Sequence, residues 1–323
     1  MENVTTTLDG YRMDAELQNV PVAFVNALRR ILLAEIPTVV VSAIEILENS
    51  SSMTHEMLRH RTQMLPVNVR ANEAAVIRDT KLEVRVSADK EPREVTTADF
   101  VATGPRSDIL LPDRDLGTPL LFAVLKPGET IHIKMSLSIA TTGASQVCVS
   151  TFKNHIDPDI AQKDRDTFVA QAGDNIMAQR EAGRVFDTFH IQRSFRRNKE
   201  TGRPDWFDFT VESIGVTPAK DLMRTAVAVL QSKIAEVGKA PILREAEGHY
   251  RVEIPGETFT IGNLVQEMIY LANTTEFVSA DIGHPLIPKL AIRFHTTTTA
   301  PEEVIARCIK EASALCENVL GSV

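Results

Sequence analysis

The sequence predicts an α+β chain: two related folds of mixed strands with long helices, paired about a pseudo-two-fold axis, the first interrupted by a β-rich insertion domain. Three observations carry this expectation. A unit of amphipathic helix followed by strand at 24–45 recurs 237 residues further on. Each copy of the unit leads on to a strand and a long helix that begins at a proline. Between the copies lies a stretch of period-two alternation broken by dense turn residues.

In the first unit, Phe24, Ala27, Leu28, Ile31 and Leu32 fall at i, i+3, i+4, i+7 and i+8, one apolar stripe on a helix. Asn26, Arg29 and Arg30 turn away from it. Pro37 closes the helix because its ring removes a donor and clashes with the preceding turn. The β-branched run at 38–41 reads as a buried strand. At an offset of 237, Ile261, Leu264, Val265, Met268 and Ile269 reproduce the stripe. At the same offset Glu16 meets Glu253, Asn26 meets Asn263, Thr38 meets Thr275, and Val-Ser-Ala at 41–43 meets Val-Ser-Ala at 278–280.

The long helices are expected at 218–237 and 301–319. Thr217 is a fitting N-cap, Pro218 suits a first helical position, and Glu302 and Glu303 complement the dipole at the start of the last helix. Closed two-fold pairing is the commonest way that like folds associate. An intrachain dimer interface is therefore expected between Phe24, Leu28, Ile31 and Leu32 and the set Ile261, Leu264, Val265, Met268 and Ile269. The copies differ at Arg29 and Arg30, which correspond to Gln266 and Glu267. That difference predicts a basic handle on one side only, and so different outer partners.

Domain limits follow from texture. Residues 1–66 with 154–238 form the split first dimerisation domain, 67–153 the insertion, and 239–323 the second, smaller domain. In the insertion, 81–86 (KLEVRV) and 131–139 (IHIKMSLSI) alternate like half-buried strands. Pro92, Gly104, Pro105, Pro112, Gly117, Pro119, Pro127 and Gly128 forbid long helices there. Ser52 or Thr54 is expected to cap a segment beginning near His55. Residues 157–178 have helical spacing, 207–213, 250–254 and 290–294 alternate as strands, and 238–241 is the linker.

The 323 residues are 43% apolar and 24% charged, with a net charge of −8, ordinary for a globular chain and wrong for a general nucleic-acid coat. Three scattered cysteines point to a reducing compartment rather than a disulfide framework. No apolar run approaches the roughly 20 residues of a membrane span, and the polar N-terminus lacks a secretory signal, so no membrane association or secretion is expected.

No catalytic constellation, cofactor loop or metal site is expected. His55 and His60 stand five apart, not the four that the zinc-protease helix needs, which points their rings roughly 140° apart. Cys308 and Cys316 share a helical face and read as buried apolar groups. The glycines around 256–262 match neither a phosphate nor a dinucleotide loop. Arg193, Arg196, Arg197, Lys199 and Arg203, with Phe195 and Trp206 among them, form the one basic cluster. It could contact nucleic acid, but Gly202 and Pro204 favour a hairpin loop or a protein contact.

Several motifs together resemble a known family. Residues 26–37 (NALRRILLAEIP) look like the signature of the α-like assembly subunits of RNA polymerase, which include bacterial α, its D-type archaeal counterpart and the third subunit of eukaryotic polymerase II. Residues 64–67 after His60 and Arg61, then 95–100, 125–128 and 209–215, resemble its later landmarks. Residues 259–265 and 284–286 are similar to the smaller partner, the L-type archaeal protein or the eleventh eukaryotic subunit.

Such a fusion of both partners resembles the polymerase subunit of large cytoplasmic DNA viruses. The resemblance implies two α-like dimerisation folds and a non-catalytic scaffold that gathers the largest and second-largest polymerase subunits, together with small zinc-binding subunits. DNA would be met only through the complex. It also implies that the face with Asn26, Arg29, Arg30 and Glu35 meets the second-largest subunit, where a guanidinium fork suits a buried carboxylate or carbonyl. If viral, the protein belongs in the virion and host cytoplasm, and otherwise in nucleus or cytoplasm. The insertion lacks the cysteine cluster some relatives carry, and 143–152 matches only loosely. The alternative is a bacterial-type α with a helical DNA-binding domain at its C-terminus, which would lack the strands at 250–254 and 290–294.

Overall fold

The structure, a computed structural model, describes residues 1–141, 144–284 and 286–322. Residue 143 of the loosely matching segment and Pro285 of the 284–286 motif lie outside them. The chain opens with β1 (Glu2–Thr7) and β2 (Arg12–Gln18), then α1 (Val22–Ala34), which buries the expected stripe together with Val25. The Glu35 N–H closes the last turn on the Ile31 carbonyl at 2.9 Å, and Pro37 prevents another.

β3 (Thr38–Asn49), α2 (His55–Gln63), α3 (Ala74–Asp79), β4 (Lys81–Ser87), β5 (Arg93–Thr96), β6 (Phe100–Thr103), β7 (Leu121–Leu125) and β8 (Thr130–Ala140) follow. Of the two candidate caps, Thr54 is the one that works: its hydroxyl accepts from the Met57 N–H at 3.3 Å. Then come β9 (Val147–Asn154), α4 (Pro158–Ala170), α5 (Ile176–Val185), β10 (Trp206–Ser213) and α6 (Ala219–Lys239). α4 and α5 carry side-chain N-caps from Asp157 and Asn175. The second half is β11 (Ile242–Ala246), β12 (His249–Pro255), α7 (Phe259–Leu271), β13 (Phe277–His284), β14 (Ile287–His295) and α8 (Pro301–Leu320).

The repeat is sharpest at its start. β2 and β12 are offset by 237 at both ends, and so are α1 and α7. The sheets agree position by position: β1-β2-β10-β9 in the first half, β11-β12-β14-β13 in the second. This four-stranded sheet at 242–295 stands where the alternative expected a helical DNA-binding module, and it replaces that expectation.

The match of 41–43 with 278–280 does not survive as a structural equivalence. β3 leaves the first sheet and pairs with β8 in the insertion sheet, β3-β8-β4-β6, whereas β13 stays in its own sheet beside β14. The strand that occupies the place of β13 in the first half is β9, which pairs with β10 and packs on α1. The chain thus leaves for the insertion at Pro37 and returns near 147, not at 67 and 153. The physical reason is burial: Val39, Val41, Ile44, Leu58 and Leu65, all before residue 67, join the insertion's core with Val84, Ile131 and Ile133.

Two smaller expectations shift. Pro218 lies one position ahead of the helix it was expected to begin, in extended conformation. The linker contracts to Ala240 and Pro241 because α6 runs on to Lys239. Gly238 is inside that helix, where a β-carbon would come 2.7 Å from Ile309 Cδ1 of α8.

Candidate functional site

The largest core belongs to neither half alone. Phe24, Leu28, Ile31 and Leu32 of α1 and Ile261, Leu264, Val265, Met268 and Ile269 of α7 are all buried in one cluster. Leu222, Met223, Leu230 and Ile234 of α6 and Val304, Ile305, Cys308 and Cys316 of α8 belong to the same cluster. α1 packs on α7, and α6 on α8, so each helix of one half lies against its equivalent in the other.

A polar rim crosses the same seam. Lys233 of α6 lies between two carboxylates, 2.8 Å from Glu35 after α1 and 2.7 Å from Glu257 ahead of α7. Burial alone would lower the ammonium's pKa. Hydrogen bonds that it donates to Glu257 and then Glu35 outweigh it, and the pKa is raised. Arg30 Nε donates to Thr260 Oγ1 at 2.8 Å. Glu267 accepts from the Ala23 N–H at 2.9 Å and from Arg203 at 2.8 Å.

These bonds revise the expected outer face. Of Asn26, Arg29, Arg30 and Glu35, Arg30 is bonded to the second half, and Glu35 to Lys233 of its own half, which also holds Glu257. Only Asn26 and Arg29 are paired with each other, Arg29 giving both Nε and Nη2 to the Asn26 Oδ1 at 3.1 and 2.8 Å. Asn26 and its equivalent Asn263 both line a cleft of about 650 Å³ with Arg203, Glu267 and Tyr270.

The basic cluster is divided rather than gathered. Arg196 pairs with Asp205 at 2.9 Å, reaches Asn19, and lies over the Trp206 ring. Arg203 lies over Tyr270 as well as pairing with Glu267. Arg197 covers Phe195, in a hairpin closed by a bridge between Arg197 and Pro204. Arg193 and Lys199 are exposed. Of this loop, Arg203 has a partner in the other half.

Sequence reasoning missed Lys233, Glu257, Thr260 and Glu267. The opposite charges of Arg30 and Glu267 at one offset were visible, but nothing in the sequence says that both side chains bond to the other half.

One further group warrants chemical inspection. Glu16, His155 and Asp208 bring three potential ligand atoms within 4.8 Å of one another. Each already has hydrogen-bond or ion-pair partners. His155 Nδ1 meets Asp208 at 2.6 Å, Glu16 accepts from the Trp206 indole at 3.0 Å and from Asn3 at 2.8 Å, and Lys153 stands 3.5 Å from Asp208. Glu16 and Asp208 face each other across β2 and β10. His55 and His60 lie on the single helix α2 with the spacing that sets them apart. Among the described residues, no helix is long and apolar enough to cross a membrane.

Comparison with known proteins agrees with this geometry. The RNA polymerase Rpb3/Rpb11 dimerisation domain matches residues 15–234, and a second form of that domain matches 249–322. The chain is 26% identical over 282 residues to the DNA-directed RNA polymerases I and III subunit RPAC1 of Bos taurus, covering 70% of this chain and 80% of that one. It is 27% identical to the DNA-directed RNA polymerase subunit Rpo3 of Pyrococcus horikoshii, covering 67% and 88%. With Rpo3 of Aeropyrum pernix it shares 28% identity over 39% of this chain and about half, 48%, of that relative. The chain therefore belongs to the Rpb3/Rpb11 dimerisation-domain family of RNA polymerase assembly subunits, with one such domain in each half.

Proposed function

We propose that the protein is the non-catalytic assembly scaffold of a multisubunit DNA-directed RNA polymerase, in which the two halves act as a heterodimer within one chain. The observation that carries this reading is the shared core: two sheets of the same strand order, closed on each other by α1 with α7 and α6 with α8. A pair already joined has its interface at very high effective concentration, so the platform is present before any other subunit arrives.

On this reading the largest and second-largest subunits dock on the outer surfaces, small zinc-binding subunits join them, and DNA is met only through the complex. The face with Asn26 and Arg29 is offered to the second-largest subunit, Arg30 and Glu35 serving the internal seam instead. The joining of both dimerisation domains in one chain supports a virally encoded enzyme, working in the virion and host cytoplasm. A cellular form would work in nucleus or cytoplasm.

The test is affinity purification of the tagged chain from its native source. Two large polymerase subunits are expected in stoichiometric yield, and their absence would reject the scaffold reading. Arg29→Glu should keep the fold while weakening retention of the second-largest subunit. Unchanged retention would move that contact elsewhere.

A further inference from the structure

Equivalent positions in the two halves make opposite contacts across the seam. Ala23 and Thr260 are 237 apart, and so are Arg30 and Glu267. The residue at 30 or 267 reaches, in each case, the first turn of the other half's helix: Arg30 donates to Thr260 Oγ1, and Glu267 accepts from the Ala23 N–H. The contact is geometrically symmetric and chemically inverted.

The inversion has structural support on the α1 side. Pro21 at the N-cap offers no side-chain acceptor, so a helix start with unsatisfied donors is completed by a carboxylate from α7. Glu267 is 9% exposed at its side chain, and its other oxygen holds Arg203 at 2.8 Å. A carboxylate so buried is stable only while its counter-charge and donors remain.

Self-pairing fails this chemistry. If the first half met another copy of itself, Arg30 would stand where Glu267 stands. It would face a backbone N–H and the Arg203 guanidinium, donors all, with no acceptor among them. If the second half met itself, Glu267 would keep a helix start to face but lose its counter-charge, because the turn before β14 carries His284 and Leu286 and no arginine.

We infer that Arg30 and Glu267, with Arg203, restrict pairing to unlike halves, so that the α1 face accepts a second-half surface, its own or another copy's, and refuses a first-half one. This rests on the reading of the two halves as an intrachain heterodimer.

The experiment uses the whole chain carrying a protease site inserted after Lys239, cleaved after folding. Wild type and a tagged charge-exchanged chain, R203E/E267R, are mixed in denaturing urea, returned to buffer, and the recovered pairs weighed by native mass spectrometry. A hybrid pair sets two guanidinium groups, or two carboxylates, against each other at positions 203 and 267. Matched pairs should exceed these hybrids by about tenfold or more. A statistical mixture of all four pairs would overturn the charge rule while leaving pairing intact. Recovery of no first-half–second-half pair, even from wild type alone, would instead remove the heterodimer. R203E alone, changed at a half-exposed position, serves where the exchanged chain fails to fold: its halves should separate at lower urea than wild type, and an unchanged midpoint would also overturn the rule.

Discussion

Val25 of α1 and Gly262 of α7 occupy equivalent positions and are both buried, yet they are not interchangeable. The first half accommodates a branched side chain there. In the second, a β-carbon at 262 would lie 2.6 Å from Leu290 Cδ1 and 3.2 Å from Ala280 Cβ. The helices have the same ends and the same stripe, but α7 rests on its own sheet with no space for side-chain atoms at that point. Likeness in sequence pattern thus sets which face is buried, while the distance to the sheet is decided separately in each half. The same holds for the seam's polar contacts, where like positions carry opposite charge.

The sharpest way to break the comparison is to make the two positions alike. Gly262→Val, which copies the first half's residue into the second, should destabilise by about 3 kcal/mol or more, since Leu290 and Ala280 cannot both withdraw from a packed core. Urea unfolding measures it, and a loss under about 1 kcal/mol would mean that α7 has the freedom α1 has.

Next in size are Leu32→Ala and Ile269→Ala, equivalent and fully buried positions. Each should cost about 2–5 kcal/mol. If the core is shared, each should lower a single cooperative transition that both halves follow, whereas two separate transitions in calorimetry would show halves that fold apart.

Lys233→Met sharpens the rim. It leaves Glu35 and Glu257 without their common cation and should cost about 1–3 kcal/mol at neutral pH. Because the ammonium's folded pKa is raised, its contribution is fully present below the ordinary lysine value of 10.5 and is lost as pH rises through the folded value. Wild type should therefore lose stability relative to Lys233→Met only on the alkaline side, and parallel profiles there would exclude the ion triad.

The smallest effect concerns the thiols. Cys308 and Cys316 face the shared core, where burial first, and neighbouring glutamates second, push both up to about 12. Cys148 is exposed and raised less. Iodoacetamide near pH 8 should label Cys148 alone in the native chain and all three after unfolding. Native labelling at Cys308 would mean that α8 leaves α6.

Much of the fold is legible because its signals are local. The stripe at 24–32 and its repetition at 261–269 give α1 and α7, Pro37 and Pro301 fix a helix end and a helix start, and period-two runs give β4, β8, β10, β12 and β14. The limits of the insertion are not local. β3 has the composition of any buried strand, and whether it pairs with β8 or stays beside β10 depends on a partner about ninety residues away.

By itself, the sequence determined that two equivalent helices would be buried along one face each and that the halves are related. Apolar periodicity acts through neighbours three and four residues away, which the chain always supplies. Only the tertiary structure decided that Arg30 and Glu267 each bond across the seam, that Arg203 from a basic loop closes on Glu267, and that Lys233 holds two carboxylates from different halves. A charge is read as solvated until something brings a counter-charge and donors to it, and here those partners lie 64, 230 and 244 residues away in the chain.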